Sequence, residues 1–269
     1  MLITMAAAAV FLSLAMAGAW LVQRRTGNSG WIDTIWSLAT AAAGAGAALG
    51  AAVGAGWGGR PLLVAALVAV WGARLGGHIA ARSRGAPEDP RYAQLIEAWG
   101  AEAGRRLFLF LQVQAVAGLT LVALAARNPA PLWRAVDVFA TALFLAALVG
   151  AAVADDQLRR FQADPANRGG VCDRGLWAYS RHPNYFFEWL GWCAYPLLAL
   201  SAAAPWGALA LGAPLLMYVL LAHVSGVPPL EAHMERSRGE AFARYRARVN
   251  AFFPGPRRDP HAVARKETP

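Results

Sequence analysis

Charge is what this sequence has least of. Only 15% of its 269 residues are Asp, Glu, Lys or Arg, against roughly a quarter in a soluble domain, and an ordinary soluble fold is excluded. Cysteine is equally scarce. Cys172 and Cys193 supply neither a disulfide framework nor a metal-ligand spacing; both read as free thiols, and no metal site is expected. No internal repeat stands out beyond an Ala/Gly bias, which suits closely packed helices in lipid. The net charge is +9, but it lies in short loops and the tail between apolar runs. That distribution argues against nucleic acid and for a topology signal.

What the chain does have is apolar length: 57% hydrophobic residues and a mean hydropathy of +0.37. Seven apolar runs, 2–22, 31–53, 61–81, 107–126, 133–154, 183–204 and 206–227, each approach the ~20 residues that cross ~30 Å of hydrocarbon. The first carries a cleavage-like Ala15-Met16-Ala17, but it lacks a basic leader and its charges, Arg24 and Arg25, follow it. An uncleaved first span is expected. Of the 25 Lys and Arg, all but Arg60, Arg74, Arg127 and Arg134 follow runs one, three and five or lie in the C-terminal tail. The positive-inside rule then places the N-terminus outside and the C-terminus in the cytoplasm.

The expected fold is therefore all-α: a polytopic membrane protein with seven transmembrane helices plus a C-terminal amphipathic surface helix. One membrane domain covers 1–254, its cofactor and catalytic part mainly 61–254, followed by a flexible basic tail at 255–269. The surface helix is read in 230–249 after a turn at Pro228-Pro229, with a possible break at Arg238-Gly239. A shorter one is read at Tyr92–Ala103. Gly46, Gly50 and Gly54, four apart, predict close helix packing.

Ionisable groups within spans are functional candidates by default. Here they are Asp33, Arg74, His78 and Glu188, with Asp155, Asp156, His182 and His223 near span ends. At 1.5 Å per residue Asp33 lies about 3 Å, His78 about 6 Å and Glu188 about 8 Å from the cytoplasmic ends of their spans. Each also has a plainer reading: interhelical packing pairs for Asp33, Arg74 and His78, solvation for Asp155 and Asp156, core packing for His223. Trp177, Trp189 and Trp192 read as interfacial anchors ahead of pocket walls. Pro183 suits the first position of a helix, which puts Arg181, Asn184, Tyr185 and Glu188 on one face. The loop Asp155–His182 carries Arg159, Arg160, Arg168, Arg174 and Arg181, with Gly169-Gly170 and Gly175 permitting close backbone approach. That composition fits phosphate, and on charge alone it fits anionic lipid or inside bias too.

The run GLWxYSRHPNYFxE, with Ala-Asp-Asp-Gln-Leu-Arg-Arg-Phe about twenty residues before it, resembles bacterial members of the steroid 5-alpha-reductase superfamily, in their uncharacterised branch. Phe242-Ala-Arg-Tyr245 through Phe253-Pro254 resembles that superfamily's C-terminal end. The likeness covers roughly 65–255 and is strongest at 155–195, and its RHPxYxxE core is shared with isoprenylcysteine-type methyltransferases. It implies a bacterial inner-membrane enzyme that uses NADPH, bound in a cytoplasm-facing cavity, to reduce a C=C bond conjugated to a ketone in a lipophilic substrate such as a 3-oxo-steroid. By position, Asp155, Arg159, Tyr179, Asn184 and Glu188 match residues around NADPH, and Arg174, Arg181 and His182 join them by location. The superfamily's early Glu corresponds to Asp33 and its substrate-binding Tyr to His78, a departure that puts the steroid itself in question. An Asp33–His78 pair would still polarise the carbonyl oxygen. Membrane lipids are expected partners; nucleic acid is not. Two other readings stay open: an S-adenosylmethionine-dependent membrane methyltransferase of the isoprenylcysteine type, and a non-enzymatic small-molecule binding or transport protein.

Overall fold

The computed structural model describes residues 2–54, 58–128, 132–202 and 205–258. Its regular structure is helical; among the described residues the only extended pairing is a bridge between Ser180 and Asn250. The α-helices are α1 (Leu2–Thr26), α2 (Gly30–Gly54), α3 (Gly59–Ser83), α4 (Pro90–Trp99), α5 (Ala103–Ala126), α6 (Ala135–Ala163), α7 (Pro183–Ala199), α8 (Gly212–Val219) and α9 (Val227–Arg248). Among the described residues five helical stretches are long and apolar enough to cross a membrane: Ile3–Thr26, Gly30–Val53, Gly59–Ser83, Ala135–Ala163 and Pro205–Arg248.

Several boundaries differ from the apolar runs, each for a local reason. The run expected to span 183–204 ends as a helix at Ala199, 17 residues long. Pro196 lies inside it and lacks the N–H that would continue the ladder. Helix α6 runs on to Ala163, past the apolar residues, because Asp156 pairs with Arg159 and, at 2.7 Å, with Arg160 along its surface. The expected loop thus begins one turn or more later. Pro228-Pro229 opens α9 instead of preceding it, and Gly239 breaks that helix at φ +50°, as its position after Arg238 predicts. Asp89 caps α4 with Pro90 at its first position, which accounts for the short helix expected there.

The chain forms two compact units, Met1–Phe144 with Trp192–Leu216, and Leu145–Gly191 with Met217–Pro269. In the first, Leu12, Met16, Ile32, Leu107 and Leu111 form a buried core from α1, α2 and α5. At one end of this unit Asn28 donates to the Ser83 and Ala86 carbonyls, and Glu88 accepts from the Ser29 N–H at 2.8 Å. The α1–α2 and α3–α4 connections therefore share an end, as alternating spans require. A second cluster ties the start of α3 to the start of α6 and the end of α7. There Arg60 (3% exposed) and Asp137 (0%) form a bidentate pair at 2.6 and 2.9 Å, and Arg60 also donates to the Leu198 carbonyl.

Close approach of α2 and α3 comes from α3, not from the expected small residues of α2. A Cβ at Gly72 would overlap the Ala41 methyl, and one at Gly76 would meet Leu38 at 2.8 Å, whereas Gly46 faces open space. Gly54 side-chain space lies outside the described residues. Gly46→Ala is expected to stabilise the protein by up to about 1 kcal/mol through helix propensity. Gly72→Ala is expected to destabilise it by about 1–3 kcal/mol through overpacking. Thermal unfolding in detergent reads both, and shifts of the same sign would contradict this packing.

Candidate functional site

The second unit is assembled around the loop 164–182, clamped between α6 and the chain that follows α9. The Trp177 Nε1–H donates to the Ala154 carbonyl at 3.0 Å, and Gln157 Oε1 accepts from the Leu176 N–H at 2.9 Å. Gly175, at φ +60°, leaves room for that glutamine: a Cβ there would lie 2.5 Å from Gln157 Oε1. This glycine serves the fold, not a ligand. On the other side the Tyr245 hydroxyl donates to the Trp177 carbonyl at 2.6 Å, the Ser180 hydroxyl to the Phe252 carbonyl at 2.8 Å, and the Arg181 N–H to the Asn250 carbonyl at 2.8 Å.

Residues 255–258 make hydrogen bonds to the loop and to α9: Gly255 N–H donates to the Tyr179 carbonyl, Arg258 N–H to the Arg248 carbonyl, and the Arg257 guanidinium to the Asp173 carbonyl. Backbone donors and an arginine fork there pair with carbonyls that water would otherwise have to satisfy. Residues 259–269 lie outside the described residues.

The helix expected from Pro183 starts there, and its mouth holds the most connected polar cluster of this unit. Arg181 forms a bidentate pair with Glu231 at 2.7 and 3.0 Å, and its remaining donors reach the Val249 and Arg246 carbonyls. His182 Nε2 lies 3.0 Å from the same carboxylate, and its ring stacks on Tyr185 at 5.4 Å. Burial holds the His182 imidazole below its usual pKa, against the pull of Glu231. The ring is therefore neutral near pH 7, with its proton on Nε2, toward Glu231. These contacts make Arg181 and His182 braces of α9, with Glu231 as their common anchor.

Of the other expected site residues, Asn184 and Asp155 meet: Asn184 Nδ2 donates to Asp155 Oδ1 at 3.2 Å, joining the first turn of α7 to α6. Glu188 follows one turn later and is half-buried. Arg159 is exposed and paired with Asp156; Arg174 lies over the Phe161 ring at 5.1 Å; the Tyr179 side chain is exposed. The indoles expected at an interface are placed otherwise. Trp177 and Trp192 are buried, and Trp189 packs against Phe186, Tyr218, Phe252 and Phe253. In the first unit Trp192 stacks parallel to Trp36 at 6.5 Å and edge-on to Trp71 at 5.6 Å. An indole N–H that finds a carbonyl inside the protein has no need of the membrane surface.

In the first unit Asp33 sits at the shared loop end, and both its oxygens are engaged: Oδ2 by Arg91 at 2.7 Å, Oδ1 by the Tyr92 hydroxyl at 2.5 Å. Burial and the neighbouring carboxylate push the Tyr92 phenol well above its usual pKa. Burial opposes ionisation of Asp89, but Arg91 and Arg82 outweigh it and hold its pKa down to about 2. His78 is half-buried on α3, one turn after Arg74. Sequence reading missed Arg91, Tyr92 and Glu231. The Asp89-Pro90 start signal could have placed Tyr92 on the inner face of α4, but nothing local marks Glu231, which pairs across fifty residues.

These observations define an all-helical protein with helices of membrane-spanning length, whose second unit holds a polar cluster at the start of α7. The chain belongs to the family described as Protein of unknown function (DUF1295), whose model it matches over residues 19–249. No curated protein and no solved structure matches it.

Proposed function

We propose that this protein is a membrane-embedded, NADPH-dependent reductase of a C=C bond conjugated to a ketone in a lipophilic substrate. In this reading it is a steroid 5-alpha-reductase-like protein with seven spans, N-terminus outside and C-terminus in the cytoplasm of a bacterial inner membrane. The observation that carries the reading is the Asn184–Asp155 hydrogen bond, which couples two residues that the motif resemblance assigns to the cofactor. It sits where the first-turn amides of α7 favour an anionic group.

Bound NADPH would supply a hydride to the β carbon of the enone. As the C=C pair shifted toward the carbonyl, negative charge would develop on the oxygen, and His78 would donate a hydrogen bond to it. A proton taken up from water at the α carbon would complete the reduction. Asp33 holds Arg91 and Tyr92 and so organises the end of the first unit where α3 finishes; it acts as a positioning residue. Asp155 and Asn184 would fix each other's side chains at the cofactor, the resemblance adds Arg159, Arg174, Tyr179 and Glu188, and Arg181 and His182 brace α9 through Glu231.

Asn184→Ala is expected to weaken NADPH binding by about tenfold or more, measured calorimetrically on detergent-purified protein. Unchanged affinity in a variant that melts at the wild-type temperature would remove the support for this reading.

A further inference from the structure

A cavity of about 450 Å³ lies wholly within the second unit, in the size range of small-molecule sites. Its walls come from the end of α6, the loop 164–172 and the inner face of α9. Its base is apolar and aromatic, with Trp177, Phe242 and Tyr245 buried there. The Trp177 N–H and the Tyr245 hydroxyl are committed to backbone carbonyls, so both rings contribute apolar surface. Such a base suits a flat ring system.

The cations on the wall divide into two kinds. Arg181 is neutralised by Glu231, which also accepts from the neutral His182 ring. Arg168, from the loop, and Arg238, from α9, are exposed and have no carboxylate partner among the described residues. Asp164 is also on the wall, but its carboxylate caps the Ala166 N–H. Beside Arg168, Gly169 adopts φ +79° with open space where a side chain would project, and Gly170 follows it. Backbone can therefore come close to a ligand there. Gly239 breaks α9 immediately after Arg238.

Two uncommitted guanidinium groups at an apolar, aromatic cavity match a phosphate monoester carried on a flat heterocycle. We infer that this cavity takes the 2′-phosphoadenosine end of the dinucleotide, with Arg168 and Arg238 holding the 2′-phosphate. The inference rests on the reductase reading and deepens it, because the 2′-phosphate is what distinguishes NADPH from NADH. Of the five loop arginines whose composition fits phosphate, Arg168 takes this role, joined by Arg238 on α9.

The test uses the full chain in phosphatidylcholine nanodiscs, titrated calorimetrically with 2′,5′-ADP and with 5′-AMP. Arg168→Ala and Arg238→Ala are each expected to weaken 2′,5′-ADP by about tenfold, the loss of one charge-assisted contact, and to leave 5′-AMP nearly unchanged. Arg→Lys at either position is expected to restore part of the loss. Neither arginine supports the fold, so both variants should melt at the wild-type temperature. Equal weakening of both ligands, or a wild type that does not distinguish them, overturns the inference. So does loss of 2′,5′-ADP binding when phosphatidylglycerol is added at constant ionic strength, which would mark the cavity as a lipid site. A wild type that binds NADPH and NADH equally sinks this inference alone. A wild type that binds neither sinks the reductase reading with it.

Discussion

Replacing Asp137 with alanine is expected to destabilise the protein by about 3–5 kcal/mol, the cost of leaving a buried charge without its partner. Asp137 is fully buried and accepts from Arg60 on α3 and from both the backbone and the guanidinium of Arg134. Its bond to the Arg134 N–H is half of a capping box at the start of α6. Arg134 is partly exposed and can turn toward water, but Arg60 is 3% exposed and has no such route. The same guanidinium and Asn128 both donate to the Leu198 carbonyl, at 3.0 and 2.7 Å, where α7 ends. Loss of the carboxylate thus loosens the ends of three helices together. Thermal unfolding in detergent should show the largest drop of any single substitution considered. Arg60→Met with Asp137→Leu should recover much of it, because the stranded charge is gone. A change below about 1 kcal/mol for Asp137→Ala would place this pair among exposed bridges of little worth.

His78→Phe is expected to slow hydride transfer by about 10²–10⁴-fold at saturating NADPH, the usual contribution of a positioned acid. Hydride addition at the β carbon places negative charge on the carbonyl oxygen, and a donor there lowers the barrier more than it strengthens substrate binding. The effect should therefore fall on the rate. NADPH affinity should be retained, since the residues assigned to the cofactor are in the second unit. Single-turnover oxidation of NADPH with an enone lipid separates the two quantities. A rate within about twofold of wild type would take His78 out of the mechanism.

Much of the frame was legible because it rests on local chemistry. Pro183 and Pro90 mark helix starts by lacking a donor where none is needed, and Gly239 marks a break because it takes a φ unfavourable to other residues. The alternation of basic and apolar segments anticipated the shared end of the α1–α2 and α3–α4 connections. What was not legible depends on partners distant in sequence. Arg181 pairs with Glu231 fifty residues on, and nothing local in the sequence marks that partner. Trp177 and Trp192 are amphipathic enough for interface or core, and only their buried neighbours decide. Asp33 carried no mark of Arg91 and Tyr92, about sixty residues on. Gly72, not the regular glycines of α2, makes the close contact because a spacing motif does not say which face meets a neighbour. In the site, the resemblance names Asp155 and Asn184 separately among the cofactor residues, and the structure adds the hydrogen bond between them; Arg238 reads from the sequence only as part of a helix break.

The most direct test of the central claim is a side-by-side calorimetric titration of the purified full chain with NADPH and with S-adenosylmethionine. The reductase account predicts saturable binding of NADPH, weakened in Asn184→Ala, and no binding of S-adenosylmethionine. Saturable binding of S-adenosylmethionine with none of NADPH would contradict it and assign the same turn to methyl transfer.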